Sequence, residues 1–207
     1  TKSLVDGMYM IESGGFHGAA GLAILTAASR GAKVGNADLG VVADATDTVL
    51  KNFGQTGISA TQVVNGLIAT VAHGKTKMQD LSGSLSQILP TASAAGIGLS
   101  DVEGAMATMT GEGIKADQAA TYLRQTLISL EAPSAKGAKA LASIGLTTQQ
   151  VADAMHKSLP GALALITDNL KKKFPEGSAA YLADIKDNSG GSRTIQRILD
   201  LTGTPQS

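Results

Sequence analysis

The sequence predicts an all-α protein, a series of helix hairpins forming a Gly/Ala-rich helical domain with no sheet. Apolar residues recur at the helical 3.6-residue period nearly throughout, while alternating runs of β-branched residues are scarce. A phrase also recurs: a Gly, a branched aliphatic residue, and a Val six positions after the Gly inside an apolar helical stripe. Its copies are Gly57-Ile58 with Val63 and Leu67, Gly96-Ile97 with Val102 and Met106, and Gly145-Leu146 with Val151 and Met155. A weaker copy runs from Gly113-Ile114 to Ala119 and Leu123, with Asp117 as its helix-starting residue. Glycine tolerates the left-handed backbone that ends one helix, and the residues after it can cap the next. Finally, Ser59 with Gln62, Ser100 with Glu103 and Thr147 with Gln150 have the spacing of capping boxes.

The elements follow in chain order. Residues 11–16 read as a surface turn, and a first helix spans 18–30. Helices are expected next over 37–52, 59–72, 77–89, 100–110, 116–130, 134–144, 148–157 and 161–173, with a further pair over 178–186 and 193–201 around the loop at 188–192. Pro90, Pro133, Pro160 and Pro175 stand where helices should stop or begin. Lys171, Lys172 and Lys173 fall in a last helical turn, where cations offset the helix dipole. Three parts are expected: an N-terminal helical arm over 1–56 with Phe16 and Phe53 as its large anchors, the repeated-phrase domain over 57–175, and a C-terminal hairpin with a polar tail over 176–207. The opening at Thr1 and the tail at 202–207 read as those of a piece of something longer.

Composition narrows the function classes. The 207 residues suffice for a sizeable core without staples, and the absence of cysteine removes disulfides and thiolate metal sites. Seventeen basic and seventeen acidic residues cancel, leaving no electrostatic footprint for nucleic acid. Aromatics are 3% of residues and 25 are Gly, about 12% against an average near 7%. The core must therefore pack small side chains, which bury little area each and favour support from partner subunits.

Candidate chemistry is sparse. Gly74-Lys75-Thr76 carries the end of a phosphate-binding loop, but position 69 is Ala and the preceding segment reads as helix, so nucleotide binding is rejected. His17, His73 and His156 are isolated from one another and lack metal spacing. No serine has a nucleophile elbow. No catalytic, cofactor-binding or metal residue is assigned, and no cofactor is expected. One constellation keeps a rival open. Glu12-Ser13 followed by Gly18-Ala19-Ala20-Gly21-Leu22 resembles the Glu-Ser signature of lytic transglycosylases, which implies Glu12 as the acid that protonates a glycosidic oxygen. The separation is shorter than in that family, and Ala23-Ile24 replaces its Met-Gln. A second rival, a membrane-penetrating module, rests on the Gly/Ala run from Gly18 to Ser29, which is shorter than the roughly 20 apolar residues a bilayer requires.

From Asn65 to Gly145 the order of elements resembles the helical region of tail tape measure proteins of long-tailed phages and prophages. The residues that carry the likeness are Leu67-Ile68-Ala69-Thr70-Val71-Ala72-His73-Gly74-Lys75 and Leu89-Pro90-Thr91-Ala92-Ser93-Ala94-Ala95-Gly96-Ile97. Val102-Glu103-Gly104-Ala105-Met106-Ala107-Thr108-Met109-Thr110, Gly113-Ile114, Ala119-Ala120-Thr121-Tyr122-Leu123-Arg124, Leu130-Glu131-Ala132-Pro133 and Ala140-Leu141-Ala142-Ser143-Ile144-Gly145-Leu146 complete it. The resemblance implies a non-enzymatic virion protein inside the tail, near its tip, made in the host cytoplasm and involved in tail length and genome delivery. Its expected partners are copies of itself, three or six, together with tail-tip or baseplate and tail-tube proteins and assembly chaperones. Sequence-specific nucleic-acid binding is not expected. A continuous helix of this length would reach about 310 Å at ~1.5 Å per residue, but the Pro and Gly breaks forbid one. The segment is expected to be a folded anchor, with the ruler elsewhere in the polypeptide.

Overall fold

The computed structural model describes residues 2–173. Among them lie α1 (Lys2–Ser13), α2 (Gly18–Gly35), α3 (Leu39–Phe53), α4 (Ala60–His73), α5 (Met78–Ser84), α6 (Leu89–Ala94), α7 (Leu99–Gly111), α8 (Ala116–Glu131), α9 (Ala135–Ser143), α10 (Thr148–Lys157) and α11 (Leu159–Lys173), with short 3-10 turns at Gly54–Thr56 and Leu85–Gln87 and no strand. The all-α expectation holds. The expected pair at 178–186 and 193–201, and Pro175, lie outside the described residues.

One backbone device joins most of these helices. Gly15, Asn36, Gly57, Gly96, Gly113 and Gly145 all have positive φ, from 46° at Asn36 to 95° at Gly15. Each is followed by an apolar residue, then by an extended residue that begins the next helix: His17, Asp38, Ser59, Gly98, Lys115 and Thr147. At five of the six links the apolar residue's N–H returns to a carbonyl five residues earlier, closing a Schellman turn. The bonds are Phe16 to Ile11 (3.2 Å), Ala37 to Ala32 (2.9 Å), Ile97 to Ala92 (2.9 Å), Ile114 to Met109 (3.1 Å) and Leu146 to Leu141 (3.0 Å). At the sixth, the carbonyl of Phe53 accepts the Thr56 hydroxyl instead, at 2.6 Å. The repeated phrase is thus a real structural unit, and it occurs twice more than its sequence form shows.

The expected capping boxes divide. Ser59 and Thr147 form theirs, with Gln62 and Gln150 returning side-chain bonds of 2.9 Å to the cap N–H groups. Ser100 does not cap. The link at Gly96 starts α7 at Leu99 with Gly98 as its N-cap, so Ser100 lies inside the first turn and Glu103 is released for another position. Likewise the N-cap of α8 is Lys115, with Asp117 in the first turn rather than at the cap. Ser59→Ala and Thr147→Ala are each expected to cost about 1 kcal/mol, whereas the exposed Ser100→Ala should stay within about 0.5 kcal/mol of the parent. Urea midpoints would show it; an equal loss at Ser100 would contradict this start for α7.

Two other expectations need correction. The single helix over 77–89 is α5, a 3-10 turn and α6, because Pro90 lacks the N–H that a continuous helix would need there; it sits instead in the first turn of α6, where no partner is required. Of the surface turn expected at residues 11–16, Ile11, Glu12 and Ser13 instead end a helix, α1, with Ile11 fully buried, and the turn begins only at Gly14. α1 wedges between α2 and α3, with Gly7 against Leu25 and Leu39, and Met8 against Gly21.

Close approaches build the rest. α2 packs on α3 and α4, α4 on α7, α3 on α5, α5 and α7 on α8, and α10 on α8 and α11. A Cβ added at Gly31 would stand 2.7 Å from Val64 Cγ1, so α2 and α4 meet at van der Waals limits only because Gly is there. Buried residues from Ile11 to Leu170 form one continuous cluster, to which helices on both sides of residues 56–57 contribute. Asp101 accepts the N–H of Leu159 at 2.8 Å, tying the start of α11 to α7, and Lys171, Lys172 and Lys173 lie in the last turn of α11 as expected.

Candidate functional site

The residues singled out for chemistry are not brought together. Glu12 is exposed near the end of α1. Lys75 and Thr76 sit in the α4–α5 loop beside a groove of about 840 Å³, which Lys77, Asp80, Lys115 and Asp117 also line. The segment before this loop is α4, not a strand, so the context of a nucleotide-binding loop is missing. His17, His73 and His156 are exposed, on α2's cap, α4 and α10. Among the described residues no three His, Asp or Glu side chains converge as metal ligands do. His156 Nε2 lies 3.4 Å from Glu131 Oε1, a proximity without hydrogen-bond geometry at that oxygen. The run from Gly18 to Ser29 is the first two thirds of α2, whose Gly21, Ile24, Ala27 and Ala28 face the core. No described helix is long and apolar enough to cross a membrane.

Two carboxylates, one buried and one partly buried, were invisible as functional candidates in sequence. Asp47 of α3 is 4% exposed and pairs with Lys51 at 2.7 Å, while its Oδ1 has no hydrogen-bond partner. A Cβ at Gly14 would come within 2.6 Å of it, so the α1–α2 turn closes over this carboxylate. Glu103 of α7 lies against Gly66 of α4, where an added Cβ would stand 2.6 Å from its Cδ. Its Oε1 is buried without a partner, and burial pushes its pKa from 4.5 up to about 7. Neither acid lines either of the two grooves described, where a glycosidic bond between paired carboxyls would have to lie.

The accessible feature with most to offer a partner is apolar. α1 buries Gly7 and Ile11 yet presents Leu4, Val5 and Tyr9 to solvent, Tyr9 at 73% exposure. Leu22 and Val34 on α2 and Ile128 on α8 are at least half exposed too. A helix apolar on opposite faces is ordinarily covered on both.

A family model described as phage-related minor tail protein matches residues 1–186. The chain belongs to that family. This minor tail protein is therefore a structural, virion-associated tail component, and its helices and hairpin links serve packing. No curated relative and no solved structure matches it at a significant level. For the transglycosylase rival, the exposed Glu12 of this minor tail protein has no groove around it among the cavities described. Purified protein and its Glu12→Gln variant are expected to leave cell-wall suspensions equally turbid; clearing by the parent alone would restore the enzymatic reading.

Proposed function

We propose that this chain is a folded segment of a tail tape measure protein, held inside the tail near its tip, where it anchors the longer polypeptide to tail-tip or baseplate proteins. The observation that carries the reading is the family match over residues 1–186, taken together with helices too short to measure anything. The longest among the described residues, α2, has 18 residues, about 27 Å at ~1.5 Å per residue. Left-handed links reverse the chain after most helices, which makes a compact grip rather than a ruler. On this reading the ruler lies elsewhere in the polypeptide, and the segment takes part in length determination and genome delivery by holding one end.

Copies of the chain, three or six in closed cyclic symmetry, share the tube with tail-tube proteins. Assembly chaperones accompany the full chain in the host cytoplasm. No sequence-specific contact with nucleic acid is involved, consistent with a formal net charge of zero. The exposed apolar face of α1 is the surface offered to these partners. Electron cryo-microscopy of purified tails carrying an affinity label in this segment tests the reading. Label inside the tube at the tip, with threefold or sixfold multiplicity, is the expected result. Label on the outer surface, or at the end that joins the head, would overturn it.

A further inference from the structure

We propose that Glu103 makes the α4–α7 seam a proton-operated latch, closed while its carboxyl is neutral and loosened when it ionises. The geometry is a notch filled by an acid. α7 lays the Glu103 side chain on Gly66, and the missing side chain there is what lets the carboxyl enter between the helices. One of its oxygens is buried without a hydrogen-bond partner. A neutral carboxyl in such a place loses little, whereas a charged one loses its hydration without compensation.

Neither ion pair given for the described residues involves Glu103. α4 carries one titratable side chain, His73, about two turns beyond Gly66, and α6 carries none. α8, also packed on α7, carries Asp117, Tyr122, Arg124 and Glu131, of which Glu131 lies by His156. On α7 itself Asp101 is engaged by the N–H of Leu159, and Asp168 and Lys171 of α11 line the groove beside it. Burial is the cause of the raised value, which lies at about 7.

The sign follows from linkage. Between the unfolded value of 4.5 and the folded value of about 7, the folded state holds the proton more tightly, so its stability falls as pH rises through that window and levels above it. The opening equilibrium should grow on the order of tenfold to a hundredfold across the window, part of the ceiling being lost to solvent at a partly exposed group.

Amide hydrogen exchange of the full chain at pH 5 and pH 8, corrected for intrinsic rates, reads the latch. Protection in α4 and α7 is expected to fall at pH 8 while that in α10 and α11 changes little. Glu103→Gln, neutral at both pH values, should abolish the difference. Gly66→Ala should abolish it too by expelling the flexible carboxyl into water, and it carries the test if the first variant misfolds. A carboxyl carbon titration of the labelled parent needs no variant and should show the Glu103 midpoint near 7. A midpoint in the ordinary glutamate range, or variants that keep the parent's pH dependence, would overturn the proposal.

Discussion

Replacing Gly57, Gly96, Gly113 and Gly145 together by Ala is expected to remove roughly 4–8 kcal/mol, at ~1–2 kcal/mol for each left-handed backbone forced on a residue with a Cβ. Domains hold only about 5–15 kcal/mol in all, so the quadruple variant should be largely unfolded at 37 °C by circular dichroism. Steric conflict is not the cause. An added Cβ meets nothing within 4 Å at Gly57, Gly113 or Gly145, and at Gly96 only His156 Nδ1 at 3.7 Å. The penalty is local backbone energy, and the chain supplies its own control. Asn36 adopts φ 46° at an equivalent link, so four Gly→Asn substitutions should retain most of the stability that four alanines lose. Equal melting of the alanine variant and the parent would show that the links do not need left-handed residues.

Leu67→Ala should cost about 2–5 kcal/mol, the transfer term plus a cavity that the neighbouring helices cannot collapse to fill. Leu67 is 0% exposed on α4, the helix that packs on both α2 and α7. The core is built mainly of Leu, Ile, Val and Met rather than of the small side chains expected from composition, and their close packing limits how far they can shift into the gap. Leu22→Ala is the matched comparison at 57% exposure, expected within about 0.5 kcal/mol of the parent in urea denaturation. If the two variants melt alike, α4 is not the central helix of this fold.

The positions of most helices were legible because apolar period and caps are local properties. Residues 148–157 form the helix expected of them, and 116–130 differ by one residue. α1 was missed because its apolar residues show no single stripe: Gly7 and Ile11 face α2 and α3 while Leu4, Val5 and Tyr9 face outward. The links at Gly15 and Asn36 were missed because Phe16 and Ala37 replace the branched aliphatic residue and Asn replaces the second glycine. The cap assigned to Ser100 failed for a reason readable in the chain. In every link the N-cap stands two positions after the left-handed residue, which is Ser59 and Thr147 in two copies but Gly98 in the third.

Residue order alone established an all-helical chain, divided by glycine at repeated points, with its phosphate-loop-like and histidine motifs out of catalytic context. Those conclusions rest on interactions within a few residues of one another: backbone dihedral preference, capping hydrogen bonds and amphipathic period. Tertiary packing decided the rest. It set which glycines admit a neighbour, Gly31 to Val64 and Gly66 to Glu103, and it turned a residue with capping-box spacing into a partly buried acid whose pKa burial raises to about 7. Burial depends on what lies across the seam, dozens of residues away in sequence, and no local pattern encodes which helix will supply the opposite face.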